Sequence, residues 1–337
     1  MSGYPYPMLD PPSFVWTHTS SGTGDMKVHQ WVKTAAGTVP DWSDYDVTII
    51  GVPLSKSSIS SSSASENPDA MRRAWKAFYT YNIDEDIDLQ EMKAIDLGNV
   101  KQHVTDIAWT HERIQEAMAV MRIHHPHTLP VILGGDHSIT AMLVKGYKQV
   151  HTHETVGILQ FDSHFDVRDP EELGKANGTP IRVLIDSGTV KGAHVYNIGV
   201  HGFFNGKTLK DYADKHAIHY MTMKQARQRG ISNVTRRVLL QLCQHVDAVY
   251  VTIDMDVLDI THHPAAPASA PGGMYSEELF EAAAIAGACA KVKAVDIVCS
   301  DPRKDVAEIS VKTSVQTMLS FLTGYTKRLQ KQGRLRM

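Results

Sequence analysis

Cysteine is scarce in this chain, whose 337 residues include only Cys243, Cys289 and Cys299. The three are an odd number, lie far apart and form no Cys-x-x-Cys pair. This pattern argues against a disulfide framework and favours a reducing compartment, which predicts a cytoplasmic protein.

Other absences exclude whole classes of function. No apolar run reaches the roughly 18 residues of a membrane helix, and the polar, proline-rich N-terminus does not resemble a signal peptide. A net charge of −3 leaves no basic footprint for nucleic acid. There is no Gly-x-Gly-x-x-Gly and no phosphate loop, so nucleotide binding has no support.

Apolar, β-branched runs alternate with helical patterns along most of the chain. Residues 46–52 and 129–133 are typical of buried strands, and apolar residues recur with helical spacing from Ile107 and from Val311. No linker interrupts this alternation, so we predict one α/β domain over residues 46–330 with a mainly parallel sheet. Residues 1–45, rich in Pro, Ser, Thr and Gly, are predicted to form an extended N-terminal arm.

Three short polar runs follow strand-like stretches and carry most of the functional signal. Side chains two residues apart share a face in extended backbone, and ligands of open α/β sheets bind at the carboxyl ends of the strands. The runs therefore predict a metal site. Its candidate ligands are His137, Asp162, His164, Asp166, Asp254 and Asp256.

The chemistry of this set indicates the metal. Four carboxylates gathered at one place would resist ionisation, and two divalent ions would balance their charge. Oxygen ligands with two imidazoles and no thiolate favour Mn²⁺, although affinity alone does not exclude Zn²⁺, Co²⁺ or Ni²⁺. Each run taken alone has a plainer interpretation, because an Asp-x-Asp after a strand is more often a solvated loop.

The three runs resemble the metal signatures of the ureohydrolase superfamily, which contains arginases, agmatinases and formimidoylglutamases. The resemblance extends from about Val47 to about Leu322. Within the superfamily, the chain is most similar to formimidoylglutamase in three stretches, residues 51–60, 165–168 and 177–182.

The resemblance implies an arginase-like, three-layer α/β/α fold and two Mn²⁺ per chain. Asp162 and Asp254 would bridge the metals, His137 and Asp166 would complete one shell, and His164 and Asp256 the other. It also implies metal-activated water that attacks an amidine or guanidine without a protein nucleophile, and assembly into trimers or hexamers. The expected reaction converts N-formimidoyl-L-glutamate to L-glutamate and formamide, in histidine degradation.

Substrate contacts are expected from the loops. Arg168 and Arg182 would suit a substrate with two carboxylates, since arginine forks match carboxylate geometry. Structural salt bridges with Asp169, Glu171 or Glu172 are the alternative for either arginine. Asn177 is a candidate polar contact, or it only shapes its turn.

Cys299 departs from the family pattern. Ureohydrolases carry Asp-x-x-Glu-x-x-Pro, where the glutamate holds the cationic group of the substrate, and residues 296–302 place Cys299 at the glutamate position. We count Cys299 among the catalytic candidates with Asp162 and Asp254. The change leaves two alternatives open: a ureohydrolase for another guanidino or amidine compound, or a metal-binding member with impaired catalysis.

The serine run and the remaining histidines receive weaker predictions. The serine loop, residues 57–63, has the composition of a linker, but its place after a strand favours a βα loop at the active-site edge. The histidine clusters at 124–127, 151–153 and 262–263 are expected on the solvated surface. His201 follows another strand and is a lesser candidate for facing the site.

Overall fold

The apolar runs of the sequence form the strands of a central sheet in this computed structural model, which describes residues 6–16, 24–35 and 45–335. Within these ranges, ten strands form one sheet in the order β1-β6-β3-β7-β12-β11-β8-β9-β10, and β2 also pairs with β6. The pairings are parallel except for that of β1 with β6. A separate hairpin joins β4 and β5. The strands are β1 (Leu9–Asp10), β2 (Lys33–Thr34), β3 (Val47–Val52), β4 (Tyr81–Asn82), β5 (Ile87–Asp88), β6 (Ala94–Val100), β7 (Leu129–Gly134), β8 (Val156–Phe161), β9 (Val195–Ile198), β10 (His219–Met221), β11 (Ala248–Asp254) and β12 (Val292–Val298).

Helices cover both faces of the sheet. The helices are α1 (Val28–Trp31), α2 (Asn67–Ala74), α3 (Ile107–His124), α4 (Ser138–Val150), α5 (Pro170–Leu173), α6 (Pro180–Asp186), α7 (Lys207–Lys215), α8 (Met223–Arg229), α9 (Ile231–His245), α10 (Ser276–Gly287) and α11 (Ile309–Lys331). Helices α2, α9, α10 and α11 contribute to one apolar core, and α3, α4, α6 and α7 contribute to the other. The predicted three-layer α/β/α fold with a mainly parallel sheet is therefore confirmed. In the described ranges, no helix is both long and apolar enough to cross a membrane.

The two cores explain why the central strands are apolar throughout. In β7, Val131 and Leu133 belong to one core and Ile132 to the other, and all three are fully buried. Because successive side chains of a strand point to opposite faces, a strand covered on both sides needs apolar residues at every position.

The N-terminal segment lies against the edge of the sheet where it is described. Strand β1 pairs antiparallel with residues 99–100 of β6, and β2 pairs parallel with residues 95–96 of the same strand. The Trp16 indole donates to the carbonyl of Arg72 at 3.0 Å. Residues 1–5, 17–23 and 36–44 of the predicted arm lie outside the described ranges.

Arg72 joins α2 to strand β6. Its guanidinium is buried and donates to both carboxylate oxygens of Asp96, at 2.6 and 2.8 Å. Such a bidentate pair fixes geometry as well as charge.

The parallel arrangement brings several strand ends to one edge. Ile253 of β11 pairs with Phe161 of β8, so Asp254 and Asp162 follow at neighbouring positions. After β7 the chain turns at Gly135, where a Cβ would lie 2.2 Å from the carbonyl oxygen of Leu54. This tight glycine turn allows His137 to enter the site from β7.

Candidate metal centre

His137 lies at the centre of a buried cluster of carboxylates. Its Nδ1 is 2.7 Å from Asp166 Oδ2, 3.1 Å from Asp254 Oδ2 and 3.2 Å from Asp162 Oδ2. The His137 side chain is fully buried, and the residue is the N-cap of α4, two residues after Gly135. One nitrogen and three carboxylates thus converge from β7, β8 and β11, as the sequence predicted.

The other nitrogen of His137 leads into a relay of polar groups that the sequence analysis missed. His137 Nε2 lies 2.8 Å from Thr252 Oγ1, and Thr252 donates to Asp296 Oδ1 at 2.6 Å. With Nε2–H as the donor, the lone pair of Nδ1 faces the carboxylates. Such outer partners orient a metal-binding histidine and raise its basicity.

Strand register builds this relay. Thr252 of β11 is paired directly with Asp296 of β12. Thr140 and Tyr250 also donate to Asp296, at 2.7 and 2.8 Å, so the buried carboxylate is fully engaged. A charged residue inside the apolar run of β12 was the available signal, since such residues are rarely buried without partners.

A second group of ligands shares Asp162 with the first. The ligand atoms of Asp162, His164 and Asp256 lie within 4.8 Å of one another, as do those of His137, Asp162, Asp166 and Asp254. His164 Nδ1 is 3.0 Å from Asp256 Oδ2, and the imidazole is 22% exposed. The six candidate ligands therefore form two adjoining sets, one buried and one open on the side of His164.

The electrostatics of the cluster fit a cation. Burial raises the pKa of Asp254 to about 8, with repulsion from Asp256 and Asp162 adding to the shift. Burial and the charge of Asp162 likewise raise the pKa of Asp166 to about 6. Carboxylates that repel one another in a low-dielectric site are stabilised as anions by bound positive charge. The donor set is oxygen and imidazole, so it suits a divalent ion such as Mn²⁺.

Two residues of the site have backbone conformations that are unusual for non-glycine residues. Asp166 has φ +54° and Cys299 has φ +62°, both in the left-handed region. Such conformations cost about 1–3 kcal/mol each and persist where surrounding contacts impose them. At Cys299 one such contact is its backbone N–H, which donates to the carbonyl of Gly135 at 2.9 Å.

The thiol of Cys299 lies beside the metal ligands. It is 3% exposed and within hydrogen-bonding reach of Asp254. Burial and the nearby charges of Asp254 and Asp256 raise its pKa well above the ordinary value, so the thiol is neutral. Asp301, two residues on, turns to the serine loop instead, where it accepts from Ser63.

Arg168 and Arg182 differ in their partners. Arg168 is exposed, lies over Gly178, and among the described residues its guanidinium has no hydrogen-bond or ion-pair partner. Arg182 donates to Asp169 at 2.6 Å and to Asp186 at 3.1 Å. The contacts of Arg182 are those of the salt-bridge alternative, whereas Arg168 makes no such contact with the described residues.

Asn177 and the serine loop are joined. The side-chain oxygen of Asn177 accepts from the backbone N–H of Ile59 at 2.9 Å, and the backbone N–H of Asn177 donates to the carbonyl of Ser57 at 3.1 Å. Ser57 also donates to Asp136, next to His137, at 2.7 Å. The loop is therefore fastened at the edge of the site, where the sequence placed it, and Asn177 holds it there.

The surface prediction for the histidine clusters is wrong at two positions. His125 is buried and its Nε2 lies 2.6 Å from the hydroxyl of Tyr6. His263 is fully buried, with Nε2 3.3 Å from Ser300 Oγ. Both are enclosed by residues distant in sequence, so the local pattern carried no sign of burial. His124, His127 and His153 are exposed, as predicted.

A loop with two phenylalanines approaches the open side of the centre and was missed from the sequence. The Phe204 ring contacts His164 edge-on at a centroid distance of 6.4 Å and His201 at 5.5 Å. Asn205 bonds to the backbone of residues 163 and 165, at 2.8 and 3.0 Å. His201 therefore lies one aromatic ring away from His164.

Known proteins resemble this chain in sequence and in fold. Residues 45–324 match the family model described as the Arginase family. Formimidoylglutamase from Halalkalibacterium halodurans is 40% identical over 276 residues, covering 82% of this chain and 86% of that protein. The crystal structure of formimidoylglutamase from Bacillus subtilis matches with a TM-score of 0.85 and 34% identity, over 92% of this chain and 94% of that one. The crystal structure of Trypanosoma cruzi formiminoglutamase with Mn²⁺ shares the fold, with a TM-score of 0.81 at 20% identity over 90% of this chain and 99% of that one.

Proposed function

Because the chain belongs to the arginase family of hydrolases, we propose that it is a formimidoylglutamase, which converts N-formimidoyl-L-glutamate and water to L-glutamate and formamide. The observation that carries this proposal is the guanidinium of Arg168, which lies two residues after the candidate ligand Asp166 and has no partner within the described part of the chain. A dicarboxylate substrate needs a cation beside the reacting centre, and the arginine fork suits a carboxylate. Two relatives that are named formimidoylglutamase, at 40% and 36% identity, support the same substrate.

The cofactor we propose is Mn²⁺, two ions per chain. Asp162 and Asp254 would bridge them, with His137 and Asp166 on one side and His164 and Asp256 on the other. Bound in this way, the metals would supply a water molecule of lowered pKa as the nucleophile.

The residues of the chain would then perform three tasks. The Thr252–Asp296 relay keeps the proton of His137 on Nε2 and directs Nδ1 to the carboxylates. Arg168 would bind a substrate carboxylate. Asn177 holds the serine loop at the edge of the site. Phe204 lies edge-on to His164 at the open side of the centre. Cleavage of the C–N bond requires no nucleophile from the protein.

Cys299 supports a second candidate function. Its neutral, buried thiol occupies the position of the family glutamate, and a thiol provides no counter-charge for an amidinium group. A ureohydrolase for a less cationic amidine or guanidine compound, or a member with weak catalysis, would account for it. Cytoplasmic location and a trimeric or hexameric assembly remain predictions, which fractionation and sedimentation would measure.

A substrate panel tests the proposal. The purified protein is loaded with Mn²⁺ and assayed with N-formimidoylglutamate, arginine, agmatine, guanidinobutyrate and guanidine, and its metal is measured by elemental analysis. We expect close to two Mn²⁺ per chain, preference for N-formimidoylglutamate, and loss of metal in Asp162→Ala. Preference for another compound would favour the second candidate. Metal binding without turnover of any compound would identify the catalytically weak member.

A further inference from the structure

Cys243 and Cys289 form a thiol pair on the side of the molecule away from the metal centre. Cys243 lies in the last turn of α9, and Cys289 follows the end of α10. Their sulfur atoms are 3.5 Å apart, although 46 residues separate them in the sequence. The proposed hydrolase reaction uses neither residue.

Charged side chains hold the two thiol-bearing segments together. Lys291, two residues after Cys289, donates to the carbonyls of Cys243 and Val246, at 2.8 Å each. Arg328 of α11 donates to the carbonyl of Cys289 at 2.9 Å. The contact between the sulfur atoms is therefore fixed by the surrounding structure and does not depend on a mobile loop.

Reagents in solution can reach this pair. Both cysteines are partly exposed, and both line a groove of about 640 Å³ between α9, α10 and α11. Cys299, in contrast, is 3% exposed. Accessibility thus distinguishes the pair from the third cysteine.

The pair also has the chemistry of an oxidisable dithiol. The hydrogen bond from Cys243 lowers the pKa of Cys289 to about 6, which gives a thiolate at neutral pH. The same hydrogen bond, and to a lesser extent burial, raise the pKa of Cys243, so its proton is retained. A thiolate is the reactive form of cysteine, and a second thiol in contact can resolve its oxidised product.

We propose that Cys243 and Cys289 are a reversible disulfide site that a hydroperoxide oxidises. The Cys289 thiolate attacks the peroxide, the O–O bond breaks, and the leaving oxygen departs as water or alcohol after taking a proton. Cys289 is then a sulfenic acid. The sulfur of Cys243 attacks it, the S–S bond forms, and the sulfenic oxygen leaves with the Cys243 proton as water. Two thiols and one peroxide give one disulfide, one water and one further water or alcohol.

The position of the pair predicts which properties oxidation changes. Cys243 lies before the start of β11 and Asp254 at its end, and seven residues of strand span roughly 20 Å. The metal centre should therefore remain unaffected. A cross-link between α9 and the segment after α10 closes a loop of the unfolded chain, so the oxidised protein should melt at a higher temperature.

Peptide mapping of the full-length protein tests the proposal. After treatment with hydrogen peroxide, we expect a Cys243–Cys289 peptide lighter by two hydrogens, one free thiol on denaturation, and a raised melting temperature. Dithiothreitol should restore three free thiols and the original melting temperature. In Cys243→Ser, dimedone should trap a sulfenic acid at Cys289, without a cross-link and without the rise in melting temperature.

Three outcomes would overturn the proposal. Wild-type protein could form only sulfenic or sulfinic acid at Cys289. The cross-link could join Cys299 or a second chain. The melting temperature could rise equally in the Cys243→Ser variant.

Discussion

Replacing Arg168 by alanine is the sharpest test of how the substrate is recognised. The Arg168 guanidinium has no partner among the described residues, and its side chain packs on Gly178. If it binds a substrate carboxylate, Arg168→Ala removes that contact and breaks no internal ion pair. The variant should fold normally and retain its Mn²⁺.

The size of the effect follows from the exposure of the residue. A hydrogen bond to a charged group contributes about 1.5–3 kcal/mol, and about 1.4 kcal/mol corresponds to a factor of ten in affinity. Because Arg168 is exposed to solvent, the lower end of this range applies. We therefore expect KM for N-formimidoylglutamate to rise about tenfold with a smaller change in kcat. Arg168→Lys should recover only part of the loss, because an ammonium group lacks the planar fork.

Arg182→Gln is the matched control. The Arg182 guanidinium donates hydrogen bonds to Asp169 and Asp186, and its side chain is 25% exposed. Its loss should lower the free energy of unfolding by no more than about 1 kcal/mol and leave KM nearly unchanged. Steady-state kinetics and urea unfolding of both variants measure these quantities. Wild-type KM in Arg168→Ala, or a larger KM effect in Arg182→Gln, would refute this assignment of the two arginines.

Three further predictions concern residues around the centre. Thr252→Val removes the hydroxyl between His137 and Asp296, so Mn²⁺ affinity measured by titration should fall about 10–100-fold, and more than in the control Thr140→Val; equal effects would contradict the relay. Cys299→Glu restores the family carboxylate and should raise kcat/KM for N-formimidoylglutamate about 10–100-fold, whereas the uncharged Cys299→Gln should not; loss of activity on glutamate substitution would show that the thiol suits the true substrate. The buried imidazole of His263 has its pKa lowered by burial from 6.5 to about 4, so the unfolded chain binds the extra proton first. The stability that neutral His263 gives to the fold is fully present above pH 6.5. It is lost as the pH falls from 6.5 to 4, and over this range the free energy of unfolding decreases by about 3 kcal/mol. Urea unfolding at several pH values should show a shallower acid dependence in His263→Gln, and an unchanged dependence would argue against a neutral buried His263.

The sequence predicted the fold well because the central strands are buried on both faces. Continuous apolar runs such as residues 129–133 are typical of buried strands at that length, and they agree with β7 within one residue. The polar residues directly after these runs were then placed correctly at one edge, since parallel strands end together. That reasoning depends only on local pattern and on the geometry of parallel sheets.

The features that escaped prediction depend on contacts between distant segments. The relay from His137 exists because Thr252 of β11 pairs with Asp296 of β12. The sequence of either strand alone does not determine this register. His125 is enclosed by Tyr6, which is 119 residues away. The left-handed backbone of Cys299 is also imposed from outside, by its bond to Gly135. Neither the composition of a segment nor the spacing of its residues predicts such contacts between distant segments.

The pairing of β1 and β2 with strand β6 has a consequence for shortened forms of the protein. Strands β1 and β2 pair with the side of β6 that faces away from β3, and Trp16 ties the same segment to Arg72. A chain that began at residue 45 would keep every candidate metal ligand, yet it would present the backbone donors and acceptors of β6 to solvent. Exposed strand edges are templates for pairing with another chain. Loss of solubility in such a truncated enzyme would therefore reflect aggregation through this edge and would say nothing about the integrity of its catalytic centre.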